Sequence, residues 1–157
     1  MKYKISLERG DLNYTELEPL YRMHYGEMQS RLKTDGFDVS DYKPRLDVYF
    51  PAFAGGWLLN FVARTEEGKA VGYANVYLTS DMHNSDFIAT EDLIYVHPDH
   101  RNGLGTKIVK HALEELRSRG VRRVTVNPVT DLRVAKIWRR MGFRDVAVRM
   151  TYDFKEN

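Results

Sequence analysis

The sequence predicts a layered α+β domain, with a mixed, mostly antiparallel sheet of about six to seven strands flanked by about four helices. Three observations carry that expectation. A strand segment, Trp57–Arg64, and an alternating partner, Val71–Leu78, flank the turn Glu66-Glu67-Gly68-Lys69 and read as a hairpin. A strand-helix-strand-helix order fills the second half of the chain. The meander between them breaks the regular alternation that a doubly wound parallel sheet needs. The 157 residues are expected to form one domain, 1–157, large enough for a real core.

Each element has its own signal. Tyr3-Lys4-Ile5-Ser6-Leu7 alternates and predicts a strand. Asn13-Tyr14-Thr15-Glu16 caps a helix running to about Lys33, with Leu17, Leu20, Tyr21, Tyr25, Met28 and Leu32 on one face. An acidic loop with Asp35, Asp38 and Asp41 follows, then a short helix from Arg45 to Phe53, stopped near Pro51 or Gly55-Gly56. After the hairpin, Phe87–Val96 is the next strand. Thr106–Arg119 is amphipathic and helical, Val121–Val126 is a strand, and Asp131–Met141 is a helix ended by Gly142. Val146–Phe154 alternates and predicts a final strand.

Composition excludes several classes. The hydrophobic and charged shares, 43% and 29%, are those of an ordinary globular protein. A net charge of +2 gives no reason to expect nucleic acid as a partner. The absence of cysteine removes disulfides, thiolate metal sites and a cysteine nucleophile together. His97 and His100 share a loop, while His24, His83 and His111 are scattered, so no metal site is expected. The sequence shows neither a membrane span nor a signal-peptide apolar region, and a cytoplasmic location is expected.

The most informative stretch is Val96-His97-Pro98-Asp99-His100-Arg101-Asn102-Gly103-Leu104-Gly105. A strand, a glycine turn and a helix start in that order make an anion site. A helix N-terminus presents unpaired N–H groups, and glycine lets backbone approach a phosphate closely. Arg101 and Lys107 add full charges on either side. The spacing is neither that of a Walker loop nor that of a dinucleotide fingerprint, because Ile108 stands where a third glycine would. The plain alternative is a tight turn with a good helix start. Basic residues cluster at Arg117, Arg119, Arg122 and Arg123, and again at Arg133, Lys136, Arg139 and Arg140. Most read as solvated faces.

From Leu93 to Phe143 the chain resembles the GNAT superfamily of N-acetyltransferases, and its element order resembles that family throughout. The family loop Q/R-x-x-G-x-G/A places His100 at the first position, with Arg101 one residue late. The family helix N-x-x-A-x-x-L-Y-x-x-x-G-F resembles Asp131 through Phe143, with Asp131 for asparagine and Trp138 for tyrosine. His24-Tyr25-Gly26-Glu27, His83 and Asp92-Leu93-Ile94-Tyr95-Val96 resemble phage- and prophage-encoded members.

The resemblance implies transfer of an acetyl group from acetyl-coenzyme A to a primary amine by direct attack. It assigns the coenzyme to Ile94, Tyr95, Val96, His100, Arg101, Asn102, Gly103, Leu104, Gly105, Thr106, Asn127, Arg133, Lys136 and Trp138. It implies a base on the strand before the loop. Alternation puts Thr90, Asp92, Ile94 and Val96 on one face, which favours Asp92, with Glu91 the second choice. A carboxylate among apolar neighbours has the raised pKa that suits a base. His24, Glu27 and His83 are expected at the acceptor. Trp138 cannot protonate a thiolate, so Tyr152, Tyr95 and water stay open as the acid. Other readings are a coenzyme-binding protein without catalysis and a phage-type protein acting on an amine-bearing nucleic-acid base. A small-molecule or peptide amine is the expected partner, no membrane is involved, and a homodimer is the family-level expectation.

Overall fold

A computed structural model describes residues 2–128 and 134–154. The elements in order are β1 (Tyr3–Glu8), α1 (Tyr14–Thr34), α2 (Leu46–Ala54), β2 (Leu58–Thr65), β3 (Ala70–Ser80), β4 (Phe87–Val96), α3 (Leu104–Ser118), β5 (Arg123–Thr125) and α4 (Val134–Arg140). They form two compact units, one of Met1–His24 with Lys43–Asn127 and one of Tyr25–Tyr42 with Pro128–Asn157. Among the described residues no helix is long and apolar enough to cross a membrane.

The first unit holds the sheet, in the order β1-β2-β3-β4-β5. The first four strands pair antiparallel, and β5 lies parallel to β4. The expected hairpin forms, with Gly68 at φ +89° and the Thr65 amide on the Lys69 carbonyl at 2.9 Å. That left-handed conformation is one glycine adopts without steric cost. On one face, α3 buries Leu104, Ile108, Ala112 and Leu116 against Leu59, Phe61, Ala74, Val76 and Val96. The spacing of four keeps those side chains in one stripe. Each fully buried leucine or isoleucine there contributes about 2 kcal/mol.

The opposite face carries a polar layer. Asn60 and Asn75 are directly opposed in the β2–β3 ladder and fully buried. Asn60 Nδ2 donates to Asn75 Oδ1 at 2.6 Å, and Asn75 Nδ2 donates to Tyr21 Oη at 3.1 Å. Asn13 Nδ2 reaches Asn60 Oδ1 at 2.8 Å. Unpaired amides here would cost more than the bonds contribute, so the layer favours one register. Beside it, Arg64 clamps Glu8 and Glu16 at 2.7–2.9 Å. That guanidinium holds the Glu8 carboxyl below its ordinary range.

One open choice is decided and three expectations are corrected. Pro51 lies inside α2 rather than ending it; the helix stops at Gly55-Gly56, where Gly56 takes φ +78°. The next helix begins at Leu104, two residues before the expected Thr106, because Gly103 at φ +94° completes the turn into it. The sheet has five strands rather than about six to seven. The strand expected over 146–154 does not form: those residues have no ladder partner among the described residues, and Val146, Val148, Met150 and Phe154 are exposed. Alternation marks a segment able to be a strand, but a strand also needs a neighbour.

In the second unit, α4 buries Trp138 edge-on against Phe143, with ring centroids 5.2 Å apart. Arg139 pairs with both oxygens of Asp145 at 2.8–2.9 Å. Asp131, Leu132 and Arg133, where the sequence starts this helix, lie outside the described residues.

Candidate active site

β4 is the element on which the site is built. Its pairing with β5 covers only Ile88, Ala89 and Thr90, opposite Arg123, Val124 and Thr125. β4 itself continues to Val96. Beyond Thr90 that edge meets no strand among the described residues, so the sheet forks. The Asn127 backbone N–H, just past β5, lies near enough to the Glu91 carboxyl to favour its charged form. Glu91 therefore sits where the two strands part.

A bulge changes which residues share a face. Val76 pairs with Glu91 and Asn75 with Leu93, so Asp92 is the extra residue. Directly opposed residues project from the same side of a sheet. Ala89 and Glu91, opposite Leu78 and Val76, therefore share a face with Ile94 and Val96, opposite Ala74 and Gly72. Thr90, Leu93 and Tyr95 take the other face, with Tyr77, Asn75 and Tyr73. The simple alternation that groups Thr90 with Ile94 and Val96 is corrected by this one inserted residue.

Asp92 accepts a hydrogen bond from Tyr49 Oη of α2 at 3.0 Å. The two neighbouring carboxylates thus meet different surroundings. Burial, reinforced by the charge of Asp92, pushes the Glu91 carboxyl up to about 8 against the opposing Asn127 amide. Burial also raises Asp92, and the Tyr49 hydroxyl works against that rise. Burial, then the charge of Asp92, holds the Tyr49 hydroxyl above its usual range. Burial pushes Tyr21 up to about 12.

The glycine loop ends at α3. The first intrahelical bond runs from the Lys107 amide to the Gly103 carbonyl at 3.3 Å. The amides of Leu104, Gly105 and Thr106 therefore lack intrahelical acceptors. Gly103 offers no side-chain cap, and the first turn holds no acidic residue. A Cβ at Gly105 would meet only Val96 Cγ2, at 3.8 Å. Packing therefore leaves room for a side chain at 105, and the glycine there keeps the helix end open. The Leu104 side chain is buried in the core, so it can offer a ligand only its amide.

His100 and Arg101 have different partners. His100 Nδ1 lies 2.9 Å from Tyr3 Oη at the start of β1. Arg101 Nε donates to the Val96 carbonyl at 2.8 Å, and its guanidinium lies 5.1 Å from the Tyr95 ring centroid. On Tyr95 the His24 ring is also stacked, at 4.8 Å, and His24 Nδ1 lies 3.0 Å from Tyr73 Oη. His24 is buried in this stack. Asn102 is exposed beside Gly103. His83 stands exposed on the loop from β3 to β4, its Nδ1 3.3 Å from Asp81 Oδ1. Glu27 on α1, and Lys136 and Trp138 on α4, belong to the second unit. Arg133 lies outside the described residues.

The structure brings Glu91, Asp92, Asn127 and the β4 edge together. Sequence reasoning missed Tyr49, because its contact with Asp92 spans 43 residues and no local pattern marks it. The only available signal was the aromatic pair Tyr49 and Phe53, four apart on one helix face.

The Acetyltransferase (GNAT) family signature matches residues 18–143. Similar folds occur in ribosomal-protein-alanine N-acetyltransferase from Brucella melitensis biovar Abortus 2308 (TM-score 0.74, 17% identity, covering 98% of this chain and 100% of that one). A GCN5-related N-acetyltransferase from Ralstonia eutropha JMP134 is also similar (0.73, 19%, 98% and 99%). So is glucosamine-6-phosphate N-acetyltransferase from Arabidopsis thaliana (0.70, 15%, 98% and 99%). No curated protein is detectably similar in sequence.

Proposed function

Because the chain belongs to the acetyltransferase (GNAT) family, we propose that it transfers the acetyl group of acetyl-coenzyme A directly to a primary amine, with Asp92 as general base. One observation supports this reading above the rest: the fork between β4 and β5 lies on the strand that leads into an uncapped helix N-terminus. The fork leaves the β4 edge from Ile94 to Val96 for an extended arm to pair with, as an added strand would. The amides of Gly105 and Thr106, with the positive end of the α3 dipole, suit a pyrophosphate. Acetyl-coenzyme A supplies the thioester.

Asp92 faces α2 and takes the proton that the ammonium must lose before its lone pair attacks the thioester carbonyl carbon. A β4 amide stabilises the oxyanion; the attacking nitrogen then gives its extra proton to water, the carbon–sulfur bond breaks, and the departing thiolate takes a proton from water. Glu91 borders the fork and is the second carboxylate of the site. His24 builds the wall behind Tyr95, and His83 is assigned to the acceptor. The coenzyme reading rests on residues of the first unit.

Thiol release across a panel of small and peptide amines tests the activity, without background from protein cysteine. Asp92→Asn is expected to lower turnover at least a hundredfold, as loss of a general base does, while acetyl-coenzyme A affinity changes little. Turnover unchanged across neutral pH would remove Asp92 from the mechanism.

A further inference from the structure

We propose that Tyr49 is a positioning residue for acetyl transfer: its hydroxyl fixes the orientation of the Asp92 carboxylate and favours its ionised form, leaving the second carboxylate oxygen to the acceptor. The inference rests on the reading of Asp92 as the base.

The Tyr49 hydroxyl donates to Asp92 Oδ2 at 3.0 Å. It is the one hydrogen-bonding side chain that Asp92 has among the described residues. Oδ1 is left without a protein partner there, which is the arrangement a base needs if one oxygen is to be held and the other is to accept a proton. The bulge produces this geometry, because Asp92 is the residue of β4 with no opposite number on β3.

Tyr49 is itself held by packing rather than by a loop. Its ring stacks on Phe53 with centroids 6.2 Å apart and packs with Tyr77 against buried Ala52, Phe53 and Leu58. Phe53 is pinned in turn by the chain entering α1. A Cβ at Gly10 would lie 2.5 Å from its ring, so the backbone there rests directly on it. A phenol fixed this firmly loses little freedom in making its bond, and its direction is set before any ligand arrives.

The groups around Asp92 make the contribution legible. From α2 comes Tyr49, from α1 Tyr21, and from β3 Tyr77 lies beside Tyr49; Glu91 adjoins on β4. No cation is paired with Asp92 among the described residues. Burial works against its ionisation, and Glu91, which keeps its proton up to about pH 8, adds no charge of its own beside it. Tyr49 is thus the group that favours the carboxylate form, and an arriving ammonium adds the missing positive charge.

The test is Tyr49→Phe, which removes one oxygen and keeps the ring. An isotope-edited NMR titration of the Asp92 side-chain carboxyl in the ligand-free protein needs no knowledge of the acceptor. Its midpoint is expected to rise by about one pH unit in the variant. With the best amine from the panel, the acid limb of the kcat/KM profile should move up by about one pH unit, with the plateau recovered at higher pH and acetyl-coenzyme A affinity unchanged. In an Asp92→Asn background, Tyr49→Phe should have no further effect on turnover. An unmoved Asp92 midpoint and an unmoved pH profile would reduce Tyr49 to packing and overturn the inference. Unchanged turnover in Asp92→Asn alone would instead overturn the base reading, so the two failures are told apart by different variants. A thermal melt of Tyr49→Phe establishes that the variant is folded, and Tyr49→Leu then separates ring packing from the hydroxyl: it should shift the midpoint as Tyr49→Phe does.

Discussion

Two regions meet along β4, and they are made in opposite ways. The glycine loop and the start of α3 use neighbours in sequence: Val96, Gly103, Gly105 and the amides between them. The face around Asp92 uses residues from α1, α2, β3 and β4 that lie tens of positions apart. In the first region the proposed binding falls to backbone, so side chains must stay away. In the second, side chains do the work, so each depends on the packing behind it. A local device tolerates changes elsewhere but fails at one atom. A dispersed device spreads its losses over stability and rate.

Gly105→Glu breaks the local region most severely. Its Cβ meets only an ordinary contact at 3.8 Å, and an acid in the first turn suits the helix dipole. Stability should therefore hold within about 0.5 kcal/mol of wild type. Acetyl-coenzyme A binding should weaken by at least about a hundredfold, because a carboxylate occupies the place proposed for the pyrophosphate. Calorimetric titration of both proteins checks this. Equal affinities would mean that the uncapped helix end is only a turn.

The same contrast explains how much could be read from the chain. The loop was legible because its physics is local: glycines at 103 and 105 after an apolar run announce a helix start open to anions. The four long strands and α1, α2 and α3 were legible from period and turn residues, to within a few positions. The bulge at Asp92 was not, since an extra residue leaves no mark on the alternation of its own strand; it appears only against β3. Tyr49 was invisible for the same reason. The terminal alternation from Val146 misled because period reports a capacity for pairing, and the pairing itself belongs to another strand.

Asn75→Ala probes the dispersed region through its support. The substitution takes the acceptor from Asn60 Nδ2 and the donor from Tyr21 Oη, both deep in the protein. A buried amide left without its partner costs about 1–3 kcal/mol, so denaturant unfolding should show a loss of roughly 2 kcal/mol. Affinity for acetyl-coenzyme A should stay within about twofold of wild type, since the loop does not depend on this layer. A matching loss of affinity would show that the two regions are one cooperative device.

Glu91 lies on the border between them, and its effect is read through pH. Its carboxyl is held up near 8 in the folded chain, against 4.5 as the ordinary value. As pH rises through 4.5 the unfolded chain gives up this proton while the folded chain keeps it. Stability therefore falls between about 4.5 and about 8 and levels above, the sign set by the state that binds more protons. Asp92, raised in the same direction, adds to the fall. Glu91→Gln cannot ionise and still offers an oxygen to the Asn127 amide, so its stability should fall less steeply. The gap between the two curves at pH 8 should be roughly 2 kcal/mol, less than the full shift implies because the site is partly open to water. Parallel curves from pH 5 to pH 8 would mean that Glu91 ionises at the fork as it would in solution, and the border would then belong to the solvent-facing loop rather than to the buried face.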